Sequence, residues 1–287
     1  MSGVRVQVPG SSANLGPGFD VLAAALGLFL TVEVEETGHF RLVTDLRLRQ
    51  DRSNLIVRAF ERLLPADRFE FRVSSTIPLS GGMGSSAAGV VAGLMAADHF
   101  RGAGADLLGL ATEMEGHPDN VAASLLGGLV ICDGTDVRRL EMPAELQAAL
   151  VIPHRAVRTS AAREVLPATV PLADAVHNVA CAAKLIAGLS MPDPELIAAG
   201  LSDRLHQPYR AHLFPRSAEI VAQAAAHGAL GATISGAGPT VLIWCTRDPE
   251  HAAGPPQLLQ WLAAASEGWA EVRIVEFEPR GAQVTAL

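Results

Sequence analysis

Two polar stretches carry residue types that could do chemistry, and the sharper is Pro78-Leu-Ser-Gly-Gly-Met-Gly-Ser-Ser-Ala-Ala88. Glycines at 81, 82 and 84 let the backbone enter conformations closed to other residues and approach a ligand closely. Ser85 and Ser86 stand where a helix N-terminus would leave amide hydrogens unpaired, an end that attracts anions. The chemistry this suits is holding phosphate. A serine-capped turn before an ordinary helix is the plainer reading. Against it, three glycines in four residues exceed what a turn requires, and Ala87, Ala88, Gly89, Ala92 and Gly93 are small enough to admit another backbone or a ligand. No G-x-x-x-x-G-K-[ST] is present, and Lys184 is the only lysine.

The second stretch, Glu113-Met-Glu-Gly-His-Pro-Asp-Asn120, puts four acidic or imidazole side chains and one amide inside eight residues. Its plainer reading is a solvated helix end stopped by Gly116 and Pro118. Helix phase leaves open whether Glu113 or Glu115 faces a site. Leu107, Leu110, Ala111 and Met114 form the apolar stripe, Glu115 borders it and Glu113 lies further round. Elsewhere, Pro9 to Asp20 reads as a long loop in which Asn14 and Asp20 bracket a Gly-Pro-Gly, making both candidate ligand contacts.

The elements that must position these residues follow from periodicity. Val4 to Val8 alternates as a strand, and Leu22 to Glu36 predicts one or two more, with Gly27 as a bend. Phe40 to Leu46 is a further candidate strand. Ser53-Asn54 caps an amphipathic helix that ends before Pro65, and Phe69 to Thr76 is the strand delivering the chain to the glycine loop. Helices are expected from Ser85 to Phe100 and from Asp106 to Glu115, then a strand over Gly127 to Cys132. Residues 143–150 read as helix-like. Beyond them come helices at Leu172 to Leu189, Asp193 to Leu201 and Ala218 to His227, with Asp203 to Arg210 a polar turn. A hairpin over Gly231 to Trp244 turns tightly at Gly236-Ala-Gly238. A helix near Gln257 to Ala265 and a strand over Val272 to Phe277 complete a β-α-β-β-α-β-like order.

Composition narrows the classes. With 287 residues, 49% hydrophobic and 18% charged, the chain can bury a sizeable core as one large or two medium domains. A net charge of −8 excludes a broad electrostatic footprint for nucleic acid or anionic membrane. Cys132, Cys181 and Cys245 are too far apart for a metal knuckle, which predicts a reducing cytoplasm. The N-terminus has no apolar signal core, and no run approaches the roughly 20 apolar residues of a membrane span.

Taken together, Pro9 to Asp20, Pro78 to Ala88 and Ile234 to Thr240 resemble the three signature regions of the GHMP kinases, a family of small-molecule kinases. Ser11-Ser-Ala-Asn-Leu-Gly-Pro-Gly-Phe-Asp20, Glu115-Gly-His-Pro-Asp-Asn-Val-Ala122, Leu126-Gly-Gly-Leu-Val130, Asp203-Arg-Leu-His-Gln-Pro-Tyr-Arg210 and Ser235-Gly-Ala-Gly-Pro-Thr240 look most like the members that act on L-homoserine. The resemblance covers nearly the whole chain. It implies an α/β (α+β) two-domain GHMP kinase fold. Residues 1–150 would form an ATP-binding domain of the ribosomal-protein-S5-domain-2-like type, and residues 151–287 a ferredoxin-like domain, with the active site between them. The implied reaction moves the γ-phosphoryl group of ATP to the side-chain hydroxyl of L-homoserine for threonine synthesis, with Mg²⁺.

The resemblance also assigns residues. Pro78, Leu79, Ser80, Gly81, Gly82, Met83, Gly84, Ser85, Ser86, Ala87 and Ala88 would cradle the ATP phosphates. Ser86 and a glutamate, Glu113 first and Glu115 as the alternative, would hold Mg²⁺. Asn14, Asp20, His117, Asn120, Arg163 and Arg210 would bind the substrate, with Asp20 and Asn14 at its ammonium and the arginines at its carboxylate. Asp119 is the one carboxylate within His-Pro-Asp-Asn, yet the relevant members manage without a dedicated base, so the expectation is catalysis by positioning and electrostatics, with Asn120 near the hydroxyl. Members are often dimers, which leaves a homodimer open. The rival readings are a sister kinase for a mevalonate-type or sugar substrate and a non-catalytic ATP-binding sensor.

Overall fold

The structure, a computed structural model, describes residues 3–79, 81–102, 104–155, 157–247 and 255–287. The first half runs β1 (Gly3–Ala13), β2 (Leu22–Glu36), β3 (Arg41–Val43), α1 (Leu55–Phe60), β4 (Phe69–Ser75), α2 (Ser85–Arg101), α3 (Leu107–Glu115), α4 (Asp119–Leu126), β5 (Leu129–Asp133) and β6 (Asp136–Leu140). The second runs β7 (Leu146–Pro153), α5 (Thr159–Glu164), α6 (Leu172–Ser190), α7 (Pro194–Gly200), α8 (Gln207–Arg210), α9 (Pro215–Gln223), β8 (Gly231–Ile234), β9 (Val241–Thr246), α10 (Pro256–Ser266), β10 (Ala270–Val275) and β11 (Gln283–Ala286).

Two sheets organise these elements. The first has the order β11-β1-β2-β4-β3, with β5 and β6 continuing from the far part of β2. The second has the order β10-β7-β9-β8. Counted within its own half that order is 4-1-3-2, the ferredoxin-like arrangement, with helices α5 to α9 inserted between its first two strands. The chain changes sheet between β6 and β7, and its last strand, β11, returns to pair with β1 of the first sheet.

The buried helix of the first half is α2, and its sequence explains its place. Alanines and glycines keep it thin, so it lies against β1 and β2 on one side and α1 on the other. A Cβ on Gly93 would stand 2.2 Å from the Ile56 carbonyl oxygen, so glycine is what lets α1 come this near. Around it, Phe60, Phe69, Phe71 and Phe100 form an aromatic cluster at the open end of the sheet.

Several elements differ from the sequence reading. The expected loop from Pro9 to Asp20 is strand as far as Ala13. The β1–β2 register shifts between Pro9 and Gly10 and then resumes, pairing Gly10 with Leu26 and Ala13 with Ala23. Small residues on both strands permit this second run, and the shift falls opposite Gly27, where the sequence predicts a bend. Residues 143–150, expected to be helix-like, instead lead into strand β7. Its stretch Leu146–Ile152 is buried throughout, and a run covered on both faces shows no period that separates strand from helix. Helix α4, absent from the sequence reading, starts directly after Pro118, two residues beyond the left-handed Gly116 that closes α3. Asp203 to Arg210, expected as a polar turn, turns as far as His206 and then ends in the short helix α8, with His206 and Arg210 almost fully covered.

Helix α6 is long and apolar enough to cross a membrane by length and composition, with 19 residues and a mean hydropathy of 1.3 over its best window. Asp174, His177, Asn178 and Lys184 interrupt it. It packs on α7 where Gly188 and Gly200 bring the backbones together, and Asn178 Nδ2 donates to the Pro17 carbonyl at 3.1 Å.

Candidate active site

The three glycine segments meet at one place. Gly236 N donates to the Ala13 carbonyl at 3.0 Å, Ser11 N to Met83 O at 3.2 Å and Thr240 N to Gly81 O at 3.3 Å. Ser235 Oγ donates to Gly82 O at 2.6 Å and lies 2.9 Å from Ser12 Oγ. A Cβ on Gly82 would stand 2.1 Å from the Ser235 carbonyl oxygen, and one on Gly84 2.1 Å from Ser11 Oγ. Gly81, Gly82 and Gly84 all have positive φ, at 102°, 89° and 65°. The loop is therefore glycine because its backbone both turns left-handed and packs against two others.

Its outcome is the start of α2. The residue preceding the helix is Gly84, not a serine, and no side chain caps it. Ser86 and Ala87 thus present first-turn amides that have no intrahelical acceptor, at the positive end of a 17-residue helix. Beside Gly81, the buried Thr240 Oγ1 has no partner. This end of the site is built to receive an anion.

A cleft of about 630 Å³ opens in front of that helix end. Gly81 to Ala87 line it, as do Asn14, Asp20, Glu115, His117, Asp119, Asn120, Arg163 and Arg210. Pro78 and Leu79 do not, and Ala88 is buried behind the first turn. Ser80 lies outside the described residues. A smaller hollow of about 320 Å³, walled by Leu30, Leu48, Ile56 and Leu79, meets the cleft at Ser85 and Ser86. A larger one, about 750 Å³, lies beside Phe214 and Trp269 but contains no carboxylate and shares only Val157 with the cleft. The chemistry, not the size, selects the site.

The two glutamates separate here. Ser86 Oγ donates to Glu115 Oε1 at 2.6 Å, placing a hydroxyl and a carboxylate together at the phosphate end. Glu113 lies outside the cleft, on the exposed side of α3, where Arg62 holds it at 2.9 Å. Of the two glutamates the resemblance offers, the alternative, Glu115, is the one that stands with Ser86. Glu113, two residues before the end of α3, lies on the face turned toward Arg62.

At the other end, Arg163 makes a two-pronged pair with Asp20, at 2.9 and 3.0 Å. Asp20 is left-handed, with φ 57°, and its backbone amide donates to Asn14 Oδ1 at 3.0 Å. Asn14, also left-handed at φ 71°, donates its side-chain amide to Gly236 O at 2.8 Å. Its side chain thus fixes Asp20 and the hairpin turn, while one amide hydrogen and one acceptor site remain on a residue that lines the cleft. Arg210 is buried, donating from Nε to Ala162 O at 2.8 Å. Burial first, and the neighbouring Arg163 second, push its pKa down to about 10, so it stays charged at neutral pH. Both guanidinium groups lie over the ring of Phe19, at 5.8 and 5.4 Å.

Between the two ends sit His117, Asp119 and Asn120, carried by the turn from α3 into α4. Asn120 Oδ1 accepts from Ser11 Oγ at 2.9 Å, which leaves its NH₂ group as the part offered to a ligand. Asp119 is 2% exposed, and burial above all pushes its carboxyl pKa up, against the opposing bond from Asn120 N at 2.7 Å. His117 Nδ1 is buried without a hydrogen-bond partner, 3.6 Å from Asp119 Oδ1. Arg158 and Thr159 also line the cleft, and sequence reasoning passed over both. Neither has a pattern that distinguishes it from a surface residue; only their place at the start of α5, in front of Arg163, brings them in.

Comparison with known proteins defines the class first. The sequence matches the family description "GHMP kinases N terminal domain" over residues 54–128 and "GHMP kinases C terminal" over residues 182–254. The homoserine kinase of Moorella thermoacetica is 40% identical over 87% of this chain and 90% of that protein. That of a Synechococcus species is 39% identical over 94% of both. The crystal structure of the Cytophaga hutchinsonii homoserine kinase superposes with a TM-score of 0.85 at 31% identity, covering 99% of this chain and 97% of that one. Mevalonate kinase of Methanococcus jannaschii shares the fold, with a TM-score of 0.70 at 16% identity over 95% and 98% of the two chains. The chain belongs to the GHMP kinases and, within them, to the family of these homoserine kinases.

Proposed function

We propose that the chain transfers the γ-phosphoryl group of ATP to the side-chain hydroxyl of L-homoserine, giving O-phospho-L-homoserine for threonine synthesis. The observation that carries this reading is the Asp20–Arg163 pair with Arg210 beside it. One carboxylate and two guanidinium groups sit at the end of the cleft away from the anion site. An amino acid brings the complementary set, an ammonium for Asp20 and a carboxylate for the arginines, so it can exchange into the pair already formed.

The roles of the chain's own groups follow from what phosphoryl transfer needs: alignment of the two substrates and neutralisation of the charge between them. The first-turn amides of α2 hold the phosphates, and the apolar hollow at Leu48, Ile56 and Leu79 takes the nucleoside. Asp20, Arg163 and Arg210 fix the amino-acid end, so that the hydroxyl extends back toward Asn120 and the helix end. The Ser86 hydroxyl and the Glu115 carboxylate are hard oxygen donors in hydrogen-bonding contact, which fits Mg²⁺, an ion that takes only a few protein oxygens. Bound there, Mg²⁺ would supply neutralisation of phosphate charge. Asp119, with its raised pKa, is the carboxylate nearest to the role of proton acceptor, but the reading assigns the larger share of catalysis to positioning and electrostatics.

A reducing cytoplasmic setting accompanies this reading. All three cysteines are free and buried, and burial pushes Cys132 up to about 12 and Cys245 to about 11, which leaves them unreactive.

The test is incubation of the protein with ATP, Mg²⁺ and a panel of alcohols, with product identified by ³¹P NMR. A phosphomonoester on the homoserine side chain is expected. Preferential turnover of mevalonate or a sugar would replace this reading with a sister kinase, and ATP binding without transfer to any hydroxy amino acid would favour a sensor.

A further inference from the structure

His206 takes part in none of the roles above, although it lies at the back of the amino-acid end of the cleft. Its side chain is fully buried, and its ring stacks on Phe19 with 5.3 Å between centroids. Nε2 is 2.8 Å from the Gly16 carbonyl oxygen, and Nδ1 is 3.1 Å from a terminal nitrogen of Arg210. A carbonyl only accepts and a guanidinium only donates. A neutral ring with its proton on Nε2 is therefore the one state that satisfies both neighbours.

The surrounding charges agree with that state. Asp203 Oδ2 lies 3.5 Å from Nε2, but the Asp203 carboxylate already accepts from Asn178 Nδ2 at 2.8 Å and from the amides of Leu205, His206 and Gln207 at 2.8, 3.1 and 2.7 Å. Those four bonds fill its acceptor sites. Burial pushes the His206 pKa down, the nearby Arg210 adds to this, and Asp203 and Asp20 oppose it.

Arg210 shows what the neutral acceptor accomplishes. Of its five donors, Nε–H goes to Ala162 O, while one terminal nitrogen serves both His206 Nδ1 and, at 3.3 Å, Gly236 O. The other terminal nitrogen keeps its two hydrogens for the cleft. Among the described residues, no carboxylate stands within ion-pair distance of Arg210. The clamp is made wholly of neutral acceptors and leaves the positive charge to be met by a ligand.

We propose that His206 is a positioning residue for substrate recognition: as a neutral hydrogen-bond acceptor it turns the Arg210 guanidinium so that its remaining NH₂ edge receives the carboxylate of the substrate. This rests on the reading that Arg210 binds that carboxylate. A histidine at this point adds what a carboxylate could not. An acid there would neutralise Arg210 from behind and weaken its hold on the ligand.

Two substitutions divide the ring's functions. His206→Asn sets an amide oxygen near the Nδ1 position and keeps the acceptor for Arg210. His206→Gln sets an amide nitrogen near the Nε2 position, keeping the donor to Gly16 and losing the acceptor. We expect His206→Gln to raise KM for L-homoserine by about 10–100-fold, the usual range for outer-shell partners, with KM for ATP unchanged. His206→Asn should stay within about threefold of the parent, a rescue by the atom that matters. A histidine with only a structural part would give the reverse order, or would move both KM values and kcat together.

Arg210→Gln separates this proposal from the reading beneath it. If Arg210→Gln leaves KM for homoserine unaltered, carboxylate recognition by Arg210 fails and the role of His206 fails with it. If Arg210→Gln raises KM while His206→Gln behaves as the parent, the positioning role alone is overturned. Should His206→Gln not fold, ¹⁵N NMR of the intact protein decides. The Nε2–H tautomer is expected at pH 7, and an imidazolium or an Nδ1–H tautomer would overturn the proposal.

Discussion

At the phosphate end of the cleft the cradle belongs to backbone, with the Ser86 and Glu115 side chains beside it: three left-handed glycines, the open first turn of α2 and the hairpin turn at Gly236 pressed against them. At the amino-acid end they belong to side chains, with Asp20, Arg163 and Arg210 arriving from three distant segments and held by Asn14, Phe19 and His206. A backbone cradle recognises a charge pattern that every phosphate donor carries, and it costs the chain only small residues at fixed spacing. A side-chain ring recognises one arrangement of ammonium, carboxylate and hydroxyl, and it exists only once the fold has gathered it. On the proposed reading, the first end would make the chain a kinase and the second would determine which alcohol it uses.

That contrast predicts different failures at the two ends. The largest effect should come from Arg210→Gln, which removes one half of a buried charge contact. KM for homoserine should rise on the order of a hundred- to a thousandfold, the worth of about 3–4 kcal/mol, with KM for ATP unmoved in steady-state kinetics. Equal loss of ATP affinity would mean the two ends are not separate. Gly82→Ala should act on the other end and through the fold. Its Cβ would meet a backbone oxygen at 2.1 Å in a left-handed conformation, and a loss of about 2–4 kcal/mol is expected in urea unfolding.

Within the phosphate end, Glu115→Gln should lower kcat/KM by about 10–100-fold and raise the Mg²⁺ concentration needed for half-maximal rate. Glu113→Gln should change either by less than about twofold, because it breaks only an exposed pair worth about 0–1 kcal/mol. A reversal of that order would return the metal to Glu113. Asp119→Asn is expected to keep turnover within about tenfold of the parent if positioning dominates.

Asp119→Asn also has a stability signature of known sign. Burial favours the protonated acid in the folded state, so the folded chain binds that proton more tightly than the unfolded one. Stability then falls as pH climbs from the unfolded value near ~3.9 toward the raised folded value, and the loss persists above it. The substitution should therefore raise the melting temperature at pH 7 and leave it unchanged below about pH 4. A melting temperature insensitive to the substitution at both pH values would show that Asp119 carries no burial penalty.

The same contrast decides how much of the site was legible in the sequence. Gly81 to Ser86 could be read directly, because a backbone cradle leaves its whole signature in consecutive residues. Asp20 could be found in a turn-rich loop and His117 and Asn120 in a dense polar cluster, although their part in binding substrate came only from the resemblance. Arg163 and Arg210 could not be told from surface arginines, since what singles them out is their place over Phe19, Arg163 paired with Asp20 and Arg210 buried, a property of the assembled cleft. Helix phase leaves Glu113 and Glu115 open, and only the family resemblance puts Glu113 first; which of the two the following turn lays beside Ser86 is decided by the assembled fold. In the fold, amphipathic helices such as α1 and α3 announced themselves through their caps, Asn54 and Asp106. Strand β7 did not, because burial on both faces removed the alternation that marks a strand, and α4 was hidden by a proline that begins a helix as readily as it ends one.

The central claim is that this cleft selects an amino acid by both of its charges. Comparing kcat/KM for L-homoserine with that for 3-aminopropan-1-ol, which keeps the ammonium and hydroxyl but lacks the carboxylate, and with that for mevalonate, which lacks the ammonium, tests it directly. The account predicts a preference for homoserine of at least about a thousandfold over each, because either omission leaves a charged group in the cleft unmatched. Turnover of 3-aminopropan-1-ol or mevalonate as efficient as that of homoserine would contradict it.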